Sequence, residues 1–184
     1  MWWESASLTQ VSWAPGDCVI SVLDDPSQIP PLEWEPLALG NLTGETPVVP
    51  EAWTFYRYRE LADGNSWMLG VVADWTVVEV RSPAGEARFG FKTQGCSAVG
   101  VARTSQGVCV HFSSHEADLG ALACGDLHRP EPLIEIPKHG FLYASSEEVT
   151  VIEGDGNQKV YVVDLRDERV IETSVEIDHA AVDL

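Results

Sequence analysis

The sequence contains no CxxC pair, no HExxH, no glycine-rich phosphate loop and no GxGxxG opening a helix. Zinc-finger, zincin, P-loop and dinucleotide-binding readings therefore lack the residues their chemistry needs. No apolar run approaches the roughly 18 to 20 residues that cross a bilayer. The opening Met-Trp-Trp-Glu has neither the basic region nor the apolar stretch of a signal peptide, so a soluble protein kept in the cytoplasm is expected. Cations are scarce as well: 11 Lys and Arg stand against 29 Asp and Glu, a formal net charge of -18. Nucleic acid and anionic lipid both demand clustered Lys and Arg, which excludes them as expected partners. Helical periodicity is nearly missing, and without a βαβ rhythm a doubly wound enzyme fold is not expected.

Four cysteines are present, Cys18, Cys96, Cys109 and Cys124, unevenly spaced. In a reducing compartment that pattern reads as free thiols serving as small core residues. The 184 residues, 45% of them hydrophobic, suffice for one substantial core without staples. A single domain over 1–184 is expected, with 1–52 as an extended acidic lid and 53–184 as a β-rich core.

The acid is concentrated at the ends. Residues 1–51 hold eight acidic side chains and no Lys or Arg, residues 52–146 hold ten against eight, and residues 147–184 hold eleven against three. The leader is also rich in Trp2, Trp3, Trp13 and Trp34 and in Pro26, Pro30, Pro31, Pro36, Pro47 and Pro50. Proline fixes φ and lacks a donor, so apart from Cys18–Leu23 this segment is no run of central strands. Its tryptophans either anchor it to the core or face a partner.

From residue 53 the chain alternates short β-branched and aromatic runs with turn residues. Trp53–Glu60 and Ser66–Val72 flank an Asp63-Gly64-Asn65 turn. Trp75–Val80 and Ala87–Lys92 follow, the latter placing Phe89 and Phe91 on one face. Ala98–Arg103 and Val108–Phe112 come next, with Val108, Val110 and Phe112 on one face and Cys109 and His111 on the other. Leu133–Ile136, Gly140–Tyr143, Glu148–Glu153, Lys159–Leu165 and Val170–Ile177 complete about a dozen strands. Only His115–Cys124 offers a short helix, and Gly120 weakens it. The fold expected is all-β: an antiparallel meander forming a sandwich, partial barrel or propeller-like array. The run from Gly140-Phe-Leu-Tyr143 through Glu148–Glu153, Asp155-Gly156 and Lys159–Leu165 to Val170-Ile-Glu-Thr173 resembles one blade of a β-propeller. That resemblance implies a four-stranded antiparallel unit, which the sequence upstream does not visibly repeat.

Soft ligands gather in Cys109, His111, His115, Cys124 and His128, but their spacing fits no known zinc signature. A nucleophile reading would use Cys109 or Ser114 with His115 as base and Glu116 or Asp118 to orient it, although neighbours on an extended chain point to opposite faces. Carboxylate pairs such as Asp24-Asp25, Glu33/Glu35 and Glu147-Glu148 read as solvated charge. Asp155-Gly-Asn157 lacks the glutamate of a calcium loop and reads as a hairpin turn. No catalytic residue, metal or cofactor is expected. The expectation is an acidic cytoplasmic binding module for a basic protein, of the immunity-protein or antitoxin kind that inhibits a toxic enzyme. Its contact residues would be Trp2, Trp3, Trp13, Asp24, Asp25, Glu33, Trp34 and Glu35. The alternatives are a metal-dependent enzyme built on the 109–128 Cys/His cluster and a β-rich scaffold subunit.

Overall fold

The computed structural model describes residues 8–13, 17–25, 27, 29, 32–36, 45–60, 64–130, 133–138, 140–144, 148–153 and 159–174. Trp2, Trp3 and the turn at 154–157 lie outside the described residues. Every regular element among them is a strand. The leader carries β1 (Leu8–Trp13), β2 (Cys18–Leu23), β3 (Glu33–Pro36) and β4 (Glu45–Val48). Three consecutive four-stranded meanders follow. They are β5 (Trp53–Glu60), β6 (Ser66–Val72), β7 (Trp75–Ser82) and β8 (Gly85–Gln94); β9 (Cys96–Thr104), β10 (Gly107–Ser114), β11 (Leu119–Gly125) and β12 (Leu133–Pro137); β13 (Phe141–Ala144), β14 (Glu148–Glu153), β15 (Lys159–Asp164) and β16 (Arg169–Ser174). Within each meander, neighbouring strands pair antiparallel in chain order. The four-stranded unit read from the last forty residues thus recurs twice upstream, in backbone pairing and not in visible sequence. The chain forms two compact units, Met1–Ser12 with Val19–Gln94, and Trp13–Cys18 with Gly95–Leu184.

In the first unit β1 and β2 extend the first meander into a six-stranded sheet ordered β1-β2-β8-β7-β6-β5, with β2 antiparallel to β8. Alternation puts Phe89 and Phe91 on the same face, as expected, their ring centroids 6.4 Å apart. The rest of the described leader pairs as a two-stranded ribbon, β3 with β4, in which Trp34 lies opposite Pro47. Proline is tolerated there because a ribbon leaves one side of each strand without ladder bonds. Leu23, Ile29, Leu32, Trp53, Met68, Val72, Trp75 and Val77 form the core of this unit, with Trp34 and Tyr58 packed against it.

The leader is fastened by one buried charge. Glu79 on β7 is 1% exposed. Its carboxylate accepts the Trp34 indole N–H at 2.8 Å and the Arg88 Nε–H at 2.8 Å, and Arg88 also donates to the Ile29 carbonyl at 3.1 Å. Arg81 lies 5.4 Å from the centre of the Trp34 ring, Tyr58 meets that ring edge-on at 5.9 Å, and Arg81 is paired with Glu45 on β4. A buried carboxylate is tolerated only while both its partners stay in place. We expect Glu79→Ala, which leaves Arg88 unpaired, to lower unfolding stability by about 3 kcal/mol. Trp34→Phe, which removes one charge-assisted hydrogen bond, should cost about 1.5 kcal/mol. Urea titration followed by circular dichroism measures both, and an effect of Glu79→Ala no larger than that of an exposed carboxylate would contradict the assignment.

The second unit is a sandwich of two four-stranded sheets, ordered β12-β11-β10-β9 and β13-β14-β15-β16. Their facing sides share a core in which Ala102, Cys109, Leu122, Ile134 and Ile136 from one sheet meet Leu142, Val149, Val151 and Val163 from the other. Residues 119–125 form a central strand rather than the short helix expected from the sequence. β10 and β12 satisfy its backbone from both sides, and that pairing overrides the weak helical preference of its alanines. Gly120 has a packing reason. A Cβ there would lie 2.5 Å from Nε2 of the fully buried His111 and 2.9 Å from the Pro137 carbonyl oxygen.

The cysteines are not free thiols. Cys109 and Cys124 sit directly opposite each other on β10 and β11 and are joined, and Cys18 is joined to Cys96. Sequence spacing could not show this, because register is what brings Cys109 opposite Cys124. The bridges close loops with sequence separations of 78 and 15, which in the chain-entropy picture stabilise by about 4.5 and 3 kcal/mol. Thiol titration in denaturant should find no reactive thiol before reduction and four after it. Reduction should also lower the melting temperature.

Candidate functional site

A cleft of about 370 Å³ opens between the two sheets of the second unit. Asp118 and Leu119 enter it from the start of β11, and Glu135, Ile136 and Pro137 from β12. Glu153, Lys159, Tyr161 and Val170 enter from the facing sheet. The two-residue period explains who faces in. Glu153 is the cross-strand partner of Lys159, and Tyr161 follows Lys159 by two, so all three share the inner face of β14 and β15. Toward the middle of the sheet the same face carries Val149, Val151 and Val163, which are fully buried. Toward the cleft it turns polar, and the sandwich gapes.

Acid dominates the cleft. Asp118, Glu135 and Glu153 line it with one ammonium, and that ammonium is already engaged, with Lys159 Nζ 3.4 Å from Glu172 Oε1. The hydrogen bond to Glu172, helped by the charge of Glu172, holds the Lys159 amine above its ordinary value. The Tyr161 hydroxyl donates to Glu153 Oε2 at 3.1 Å. Burial first, then this hydrogen bond and the Glu153 charge, push the Tyr161 phenol up. Neither group loses its proton near neutral pH, so the cleft offers accepting carboxylates framed by Ile136, Pro137 and Val170. Such a surface suits an extended cationic segment with apolar side chains between its charges.

The residues singled out from the sequence fall elsewhere. Trp13 is 7% exposed and packs into the interior, so it offers no surface to a partner. Trp34 is half-buried and committed to Glu79, Tyr58 and Arg81. Asp24, Asp25, Glu33 and Glu35 are exposed on the first unit, with Asp24 accepting the Thr9 hydroxyl and Asp25 that of Ser27. The Cys/His cluster does not assemble. Cys109 and Cys124 are consumed by their disulfide, His111 is buried beneath Gly120, and His115 is exposed. Among the described residues no three His, Cys, Asp or Glu side chains converge to hold a metal. The proposed Ser114/His115 pair is not formed either. Ser114 is 1% exposed and its Oγ accepts the N–H groups of Glu116 and Ala117, while His115 Nε2 lies 2.8 Å from Ser97 Oγ.

No family model, no curated protein and no solved structure matches the chain. From the sequence, Glu153 was reachable only as a member of the acidic last stretch, Asp118 only as a neighbour of His115, and Glu135 not at all. What unites Asp118 and Glu135 with Glu153 is the sandwich, which no local pattern announces.

Tyr161 gives the cleft a spectroscopic handle. The fold favours the neutral phenol of Tyr161, and of Tyr58 through its own burial. Their contribution to stability is therefore intact below the ordinary tyrosine value near 10 and is lost as pH rises through the raised one. Absorbance titration of tyrosinate should show two of the four tyrosines ionising late. Tyr161→Phe should remove one of these late steps, and Glu153→Gln should move that step to lower pH without removing it.

Proposed function

We propose that the protein is an acidic binding module that captures and neutralises a basic protein, as immunity proteins and antitoxins do with a toxic enzyme. The observation that carries this reading is the cleft between the sheets of the second unit, where three carboxylates outnumber one paired ammonium. A net charge of -18 adds long-range attraction that speeds encounter and orients the partner, while desolvated contacts set its lifetime. The exposed Asp24, Asp25, Glu33 and Glu35 offer the first unit's acidic contribution to the same task.

Two features bear on the compartment. No helix among the described residues is long and apolar enough to cross a membrane. Cytoplasmic residence and the paired cysteines pull in opposite directions, because cytosolic thiols are held reduced. Thiol trapping in intact cells, with the four cysteines either free or joined, decides between a cytoplasmic and an oxidising site of action.

The partner test uses an eight-residue peptide alternating lysine and valine, followed by fluorescence anisotropy. Binding should weaken about tenfold or more between ~0.05 and ~0.5 M NaCl, as screening removes the attraction. The combined Asp118→Asn, Glu135→Gln and Glu153→Gln variant should lose it. Binding indifferent to salt, or unchanged in that triple variant, would sink the reading. The corresponding physiological test is retention of a basic protein encoded beside this one at low salt and its release at high salt.

A further inference from the structure

Most edge strands of this fold are guarded against a further strand. β5 and β9 each carry an extra residue, Thr54 and Val99, where the register with the neighbouring strand shifts, and such bulges twist an edge away from pairing. β3 and β4 contain Pro36 and Pro47, β12 ends on Pro137, and β13 is four residues long. β16 has none of these devices. It follows β15 in unbroken register, from Arg169 opposite Asp164 to Ser174 opposite Lys159, and contains no proline. Among the described residues no strand pairs with its other side, and residues 169–173 are exposed on both faces of the sheet. An edge strand directs alternate N–H and C=O groups away from its neighbour, which makes it a template for one more strand.

We infer that β16 accepts an extended segment of the basic partner as a fifth strand, held by backbone pairing; this rests on the binding-module reading and names how the partner is held. Side-chain alternation selects the occupant. Val170 and Glu172, opposite Val163 and Tyr161, face the cleft side, whereas Ile171 joins Val162 on the sheet's apolar outer face, next to Val160. An added strand, about 4.8 Å beyond β16, would present its own side chains alternately to the same two sides. On the cleft side they meet Glu172 and, from the edge strand of the facing sheet, Glu135. On the outer side they lie beside Ile171, which is 49% exposed. A segment alternating basic and apolar residues satisfies both sides. The cations nearby do not oppose it, since Arg169 is paired with Asp167 and Lys159 with Glu172. An acidic segment, a second copy of this chain at -18 included, would bring like charge to Glu135 and Glu172.

The probe is the eight-residue peptide alternating lysine and valine, followed by fluorescence anisotropy on the full-length protein at ~0.05 M NaCl. Amides of alternate residues in an extended chain point to opposite edges, so N-methylating the valines removes the donors of one edge and N-methylating the lysines those of the other. Both versions keep every charge and every side chain. Only the edge against β16 needs its donors, so one version should bind about tenfold or more weaker and the other within about threefold of the parent. Which version is sensitive tells whether the added strand runs antiparallel or parallel. Equal affinity of the two methylated peptides, whether both match the parent or both fall, overturns strand addition, while salt-dependent binding of the parent leaves the cleft reading standing. A parent peptide that does not bind overturns both.

Discussion

Backbone polar groups in this protein are satisfied sideways. A helix closes its own hydrogen bonds, but a strand depends on its neighbours, and among the described residues there is no helix to cover an edge or a face. Each meander therefore builds outward until something stops it. In the first unit β1 and β2 add to the meander's last strand, β8, and the ribbon of β3 and β4 is fastened to the sheet through Glu79. In the second unit the inner faces of two meanders cover each other. Along the edge strand β16, residues 169–173 are all exposed.

The placement of charge follows the same logic. Where a sheet face is sealed, acid is admitted only with full pairing, as at Glu79. Where the sandwich gapes, Glu153, Glu135 and Asp118 gather beyond the last buried valines. The cleft and the apolar outer face are thus opposite sides of one sheet, separated by a single alternation. A one-residue slip in β15 would exchange Val160 and Val162 for Lys159 and Tyr161, so the hairpin register of this sheet fixes both surfaces at once.

Strands with strong β-branched alternation were legible in the sequence. Cys18–Leu23, Trp53–Glu60, Ser66–Val72 and Glu148–Glu153 have the bounds expected from pattern alone. The strands that escaped notice have weak local signals. β3 and β4 contain proline and exist because the ribbon needs few ladder bonds, and β11 is alanine and glycine held by neighbours on both sides. The acidity of the candidate cleft was legible as net charge and poorly as position. Trp34 looked like a surface anchor because no local rule reveals a carboxylate 45 residues away waiting for its indole. The disulfides were hidden for the same reason, since cross-strand opposition is a property of pairing.

The Cys18–Cys96 bridge joins the first residue of β2 to the first residue of β9, beside the point where Val19 lies opposite Gln94. The first meander and its ribbon are therefore a covalent ring. A protease that severs any one peptide bond in that ring releases nothing: the two halves stay linked through sulfur and through their shared sheet, at a local concentration far above any in solution. In physical terms residues 19–95 are held at both ends, by Cys18 and by Cys96, and a single cut leaves each half attached at its own end.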